Sequence, residues 1–200
     1  LKKTGLVTFG LNPSGLGRLV SNDAAEIRRQ INNGIVRLRE ELGISPTLLA
    51  YPYGEYDLTY QQIVRSMGFD AAFGQQSGVA WSGDNLFALP RFAQSERYGD
   101  QERFVMTANA LPLPVKDVSP QDPHLSTLTP VIGFTLPETL AKAGKNLSCF
   151  SSSDEKPSVT LLRTRVEIRM PGFDDDRPRI NCTLPVAGNN GEDTRWRWFG

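Results

Sequence analysis

The pattern of apolar and polar positions changes character once along the chain, near residue 110. Before that point short apolar runs alternate with amphipathic ones. GLVTFGL at 5–11 has the length and composition of a buried strand. NPSGLGRL at 12–19 is a loop by its proline and glycine content. The clearest helix follows. Asp23 with Glu26 three residues later forms a capping-box-like start. Ile27, Ile31, Ile35, Leu38 and Leu42 recur at helical spacing, and arginines and glutamates fill the remaining sides as a solvated face. Gly43 supplies the stop. TLLAY at 47–51 reads as a second strand, and 58–67 as a second helix with Ile63, Val64 and Met67 inward and Gly68 at its end. FDAAFG at 69–74 is a third strand and NLFALPRF at 85–92 a fourth. Strands separated by helices predict βαβ units and a parallel sheet. Four strands and two helices are too few for a complete barrel, and suit the closing half of one.

Beyond residue 110 the alternation of strand and helix stops. LPLPVKDVSPQDPHLSTLTP at 111–130 is proline-rich and predicts an extended connector. VIGFTL, SVTLLRTRVEIRM, RINCTLP and TRWRWFG then read as strands. Within 160–170, Leu162, Thr164, Val166, Ile168 and Met170 alternate with Leu161, Arg163, Arg165, Glu167 and Arg169, as one half-exposed antiparallel strand would. SSSDEK at 151–156 and NNGED at 189–193 are loops. The expected organisation is a partial barrel over 1–110, a connector over 111–130 and a small β-sandwich-like extension over 131–200.

Composition narrows the partners. The 200 residues carry 22 lysines and arginines against 22 aspartates and glutamates, so there is no basic footprint for nucleic acid or an anionic membrane. No apolar run approaches the ~18 residues of a transmembrane helix, and no signal peptide is visible. Leu1 is not an initiator methionine, so the expectation is a start inside a longer protein. Cys149 and Cys182 are the two cysteines and belong to no CxxC pattern, which argues against a zinc site. They form either a disulfide, implying a periplasmic or extracellular location, or two buried thiols in a cytoplasmic protein.

In parallel α/β folds the carboxyl ends of the strands carry the ligand site. NPSG, YPYGEYD and LPRF fall at such ends. Tyr51 and Tyr53 offer flat apolar faces and hydroxyls suited to sugar rings, or else PYG makes a tight turn on which tyrosines pack. Arg91 could pair with a buried carboxylate or form a rim ion pair. Glu55 and Asp57 are either a carboxylate pair or acids favoured at a helix start. His124, the single histidine, lies in the proline-rich stretch and cannot build a histidine-based metal site. Trp196 and Trp198 alternate with Arg195 and Arg197 on a strand, as sandwich core or as a stacking surface for carbohydrate.

The order AYPYGEYD, IVRSMGFDAAFGQQSG, LFALPRF resembles the second half of the polysaccharide deacetylase (chitooligosaccharide deacetylase-like) family, in the branch that writes one of its motifs as YPYG. The resemblance spans about residues 48–92 and extends to 5–42 by the order of elements; the β-rich end looks like an extension found in some bacterial members. It implies a distorted (β/α) barrel and hydrolysis of N-acetyl groups on a carbohydrate polymer or oligosaccharide, with a divalent metal such as zinc polarising the carbonyl and its water. By motif position Tyr53 supplies a backbone N–H to the oxyanion, Arg91 lies at the floor of the site, and Tyr51, Pro52 and Gly54 shape the groove. The family's paired aspartates belong on a strand preceding Leu1, and its two metal-binding histidines fall on Asn12 and Leu16. Leucine cannot ligate a metal, so the expectation here is an absent or degenerate metal motif, with no metal ligand assigned. A non-catalytic carbohydrate-binding module using the same groove, and a structural domain, are the rival readings.

Overall fold

Asp23 begins the first long element as its side chain predicts: Oδ1 accepts from the Glu26 N–H at 2.8 Å, and the helix runs Ala24–Leu42 (α1). Gly43, at φ 61°, ends it by donating back to Arg39 and Leu38. The computed structural model describes residues 2–13, 17–96, 98–125, 127, 129–152, 156–170, 178–186 and 195–200. The chain divides into two units, Leu1–Gln75 with Asp84–Leu89, and Gln76–Gly83 with Pro90–Gly200.

In the first unit, strands Leu48–Ala50 (β1) and Ala71–Phe73 (β2) pair in parallel, with Leu49 opposite Ala72. Helix Leu58–Ser66 (α2) connects them. Leu11 makes a parallel bridge to Leu49, and Leu89 another to Phe73. Four parallel segments therefore lie in the order Leu11, β1, β2, Leu89. The outer two are far shorter than the expected strands, which is a correction. Only Leu11 of 5–11 pairs, through Leu11 N–H to Leu48 O and Ala50 N–H to Leu11 O, each 2.8 Å. Its register runs the preceding residues towards Pro46, which has no N–H to donate, and Leu6 is 88% exposed. Of 85–92, only Leu89 pairs. Asn85 folds its neighbours into a turn, its Oδ1 accepting from Phe87 N–H and its carbonyl from Ala88 N–H.

The core of this unit joins the α1 stripe (Ile27, Ile31) to α2 (Tyr60, Ile63, Val64) and to Leu49 and Tyr51. Each such side chain contributes roughly 1.5–3 kcal/mol by leaving water. Gly34 lets α1 approach the first segment: a Cβ there would stand 2.5 Å from Leu11 Cδ1.

The second unit opens with a helix the sequence pattern did not suggest, Gln101–Ala108 (α3), capped by Asp100. Its strands are Leu111–Pro112 (β3), Lys116–Ser119 (β4), Ile132–Thr135 (β5), Ser148–Ser151 (β6), Ser158–Leu162 (β7), Arg165–Arg169 (β8), Ile180–Val186 (β9) and Arg195–Phe199 (β10). They make two four-stranded sheets, ordered β3-β10-β9-β6 and β4-β5-β8-β7. Phe134, Val166 and Ile168 of one meet Cys182 and Leu184 of the other in a single apolar cluster. The 111–130 stretch is thus not simply connector: β3 and β4 enter both sheets.

The single strand expected over 160–170 is a hairpin. Leu162 pairs with Arg165, so Arg163, at φ 57°, and Thr164 form a two-residue turn. That turn switches the parity of the inward positions, which are Val159 and Leu161 before it and Val166 and Ile168 after it. On β10 the face towards the cluster carries Phe199, stacked edge-on with Phe134 at 5.1 Å. Trp198 lies on the other face against Phe92, which corrects the sandwich-core reading of the tryptophans. The expected loops at 151–156 and 189–193 fall in part or wholly outside the described residues.

Cys149 and Cys182 are directly opposed on β6 and β9 and form a disulfide. The bond closes a loop whose cross-link is worth about 3–4 kcal/mol on the chain-entropy model. Urea unfolding with and without reductant should show a loss of that size, and the same loss should appear in Cys149→Ser/Cys182→Ala without reductant.

Candidate functional site

The residues that leave the carboxyl ends of the parallel segments are Asn12 after Leu11, Tyr51–Gly54 after β1, and Gly74–Gln75 after β2. Tyr51 extends the β pairing by one residue, its N–H donating to Phe73 O at 3.0 Å. The chain then turns over Pro52–Gly54, closed by Gly54 N–H to Tyr51 O at 2.9 Å and Glu55 N–H to Pro52 O at 3.1 Å. Tyr53 sits at φ 56°, ψ 7°, in the left-handed region, and Gly54 follows at φ 73°. For tyrosine this costs roughly 1–2 kcal/mol. Gly54 is required twice over, because a Cβ would fall 2.2 Å from Gln75 Cβ and 2.6 Å from Gln75 N. The turn therefore lies directly on the chain leaving β2.

Tyr51 does not face solvent. It is 0% exposed, donates its hydroxyl to Phe87 O at 2.9 Å, and packs between Tyr56 at 4.8 Å and the edge of Tyr60 at 4.9 Å. Pro52 is buried as well. The expectation that Tyr51 stacks on a sugar is corrected: its ring is structural, and Pro52 sets the entry to the turn. Tyr53 is 52% exposed, Gly54 half-buried and Asn12 exposed. Burial pushes the Tyr51 and Tyr60 hydroxyls well above the usual phenol range.

Asp57 is a helix cap, accepting from Tyr60 N–H at 2.6 Å. Glu55 instead accepts from Arg18 Nε at 2.8 Å, joining the turn to the loop after the first segment. Nothing in the sequence spacing signals that pair. Arg91 belongs to the second unit, where its N–H donates to Gln76 O at 3.0 Å. His124 is exposed in that unit, its N–H donating to Asp122 Oδ1. Leu16 lies outside the described residues.

Comparison with known proteins bears on the first unit. A family model described as polysaccharide deacetylase matches residues 14–72, from before α1 into β2. Residues 14–72 are therefore similar to polysaccharide deacetylases. The matched segment includes the Tyr53 turn and the Arg18–Glu55 pair. Among solved structures the chain is similar to the Streptococcus pyogenes deacetylase PplD in complex with acetate, at 19% identity and TM-score 0.45, covering 50% of this chain and 43% of that one. It is also similar to the deacetylase domain of BpsB from Bordetella bronchiseptica, at 20% identity and TM-score 0.34, covering 36% of this chain and 28% of that one. The chain thus spans less than half the length of either. No curated protein matches it.

The resemblance implies a divalent metal with ligand positions at Asn12 and Leu16, of which Leu16 lies outside the described residues. Among the described residues no three His, Cys, Asp or Glu side chains come together. At the position expected to carry an imidazole, Asn12 offers an amide, a poor substitute for a transition metal. Of the carboxylates adjoining the turn in sequence, Asp57 caps α2 and Glu55 accepts from Arg18 through one oxygen.

Two outcomes follow from the turn. Tyr53→Gly should leave stability level or raise it by up to about 1 kcal/mol, since it removes a left-handed side chain. Gly54→Ala should lower stability by at least about 2 kcal/mol, through that same conformation and the collision with Gln75; urea melts of the two variants compare them directly. An alkaline titration followed by tyrosine absorbance checks the buried pair. In the unfolded chain both hydroxyls ionise near pH ~10, and folding raises that value. Their contribution to stability is therefore whole below about pH 10 and lost as pH climbs above it. Two of the chain's five tyrosines should ionise only as the protein unfolds.

Proposed function

We propose that the first unit serves a polysaccharide deacetylase domain by presenting the Tyr53–Gly54 turn, with Asn12 beside it in the fold order, to an N-acetylated carbohydrate polymer or oligosaccharide. The observation that carries this is an exposed tyrosine in a disfavoured backbone conformation, at the carboxyl end of a parallel strand, inside the segment the family model matches. Strain of that kind persists where surrounding structure enforces it, and is concentrated at ligand sites. On this reading the unit is the second half of a distorted (β/α) barrel, and the second unit a β-sandwich-like extension. Tyr53 gives its ring to a sugar face and is the candidate backbone donor to an acetyl oxyanion. The reaction of the whole protein is removal of N-acetyl groups from the polymer. The Cys149–Cys182 disulfide supports a periplasmic or extracellular setting. Among the described residues no helix is long and apolar enough to cross a membrane.

One observation favours a second reading, a carbohydrate-binding unit without hydrolysis: the described side chains do not gather metal donors. Calorimetric titration with N-acetylglucosamine oligomers, alongside an acetate-release assay in the presence of zinc, separates the two. Binding weakened about tenfold by Tyr53→Ala is expected, the size of a well-placed aromatic contact. Acetate release selects the enzyme, and binding without release selects the non-catalytic unit. Failure of the wild-type chain to bind the oligomers overturns both.

A further inference from the structure

The bonds that close the Tyr53 turn, Gly54 N–H to Tyr51 O and Glu55 N–H to Pro52 O, are local, and local bonds of this sort do not by themselves hold a tyrosine left-handed. Gln75 backs the turn on one side, at Gly54. Next to Gly54 in the chain, Glu55 takes the Arg18 guanidinium at 2.8 Å, with side-chain exposures of 14% for Glu55 and 44% for Arg18. Each end of this bridge adjoins a bonded or buried neighbour. Arg18 is extended and precedes Leu19, which is buried in the core of the unit. Glu55 is bonded through its own N–H to Pro52. A charge-assisted bond between these two residues restricts the segments that carry them.

Resting on the proposed function, we propose that Arg18 and Glu55 are a positioning pair for carbohydrate binding: they tie the turn after β1 to the loop after Leu11 and thereby hold Tyr53 in its ligand-facing conformation. Neither residue needs to touch the sugar. Their effect is on the fraction of molecules in which Tyr53 is already placed, and apparent affinity scales with that fraction. Lysine at position 18 would restore the charge without the directed Nε–H bond, and would rescue only in part.

The test uses the full chain with Arg18→Ala, Glu55→Gln, Arg18→Lys and the charge-exchanged double variant Arg18→Glu/Glu55→Arg. Two readouts are taken: amide hydrogen exchange at Gly54 and Glu55, with Leu11 and Ala50 as references, and the Kd for N-acetylglucosamine oligomers. In the two single neutralising variants, exchange at Gly54 and Glu55 should quicken by about fivefold, the scale of one partly shielded ion pair, while Leu11 and Ala50 stay unchanged. Affinity should fall by a similar factor with the thermal midpoint held. Arg18→Lys should recover part of both effects, and the double variant most. Unchanged exchange at Gly54 and Glu55 in the neutralised variants overturns the proposal, and so does altered exchange with unaltered affinity in a protein that binds. Exchange needs no ligand, so a wild-type chain that ignores the oligomers defeats the proposed function, while exchange still decides whether the pair holds the turn.

Discussion

Tyr51 is the point on which the first unit's site depends. Its backbone N–H reaches Phe73 on β2, its hydroxyl reaches Phe87 in the turn before Leu89, and its ring is packed by Tyr56 and Tyr60 from the start of α2. One residue therefore ties β1 to the two segments that follow it in the fold. β1 and β2 are only three residues each, too short for ladder bonds alone to fix their ends. Buried hydrogen bonds of this sort are worth roughly 1 kcal/mol each, and more if one partner is left unsatisfied. The chain beyond Tyr51 therefore leaves from a residue bonded to both segments that follow β1 in the fold.

This arrangement explains why aromatic residues two apart play opposite parts. Tyr51, at the end of β1, takes the inward position and is consumed by the core. Pro52 removes an N–H that the ladder no longer needs. The left-handed pair Tyr53 and Gly54 then reverses the chain onto Gln75. A tyrosine in that conformation is less stable than glycine would be there.

Much of this was legible in the residues. Asp23, Glu26 and Gly43 delimited α1, and its isoleucines marked the buried face, because capping and helical period act locally. The YPYG turn was readable as a turn at a strand's carboxyl end for the same reason. What the sequence could not show was anything decided by a distant partner. Tyr51 and Tyr53 are equally aromatic, and it is the carbonyl of Phe87 and the rings of Tyr56 and Tyr60 that distinguish the buried one. GLVTFGL has the composition of a strand, yet only Leu11 finds a neighbour to pair with. Arg163–Thr164 reads as part of a continuous alternation, because a two-residue turn leaves hydrophobicity high on both sides while reversing which parity points inward. α3 carries no inward stripe in its sequence: its apolar residues Phe104, Val105 and Met106 are consecutive, and only Thr107 is buried.

The donor chemistry and the turn geometry bear on different parts of the proposed activity. Hydrolysis of an amide through a metal needs several donors converging on one point; of the carboxylates adjoining the turn, Asp57 caps α2 and Glu55 accepts from Arg18 through one oxygen. Recognition of a sugar needs less: an exposed aromatic plane, polar groups such as an amide, and little freedom to lose on binding. Tyrosine has few rotatable bonds, and the residues that follow it are held close to others: Gly54 lies against Gln75, and Glu55 accepts from Arg18. Ordering a mobile loop around a ligand would cost affinity that a preset loop retains. If the turn binds carbohydrate as proposed, the conformational cost of its left-handed residues is met during folding, by contacts remote from the sugar.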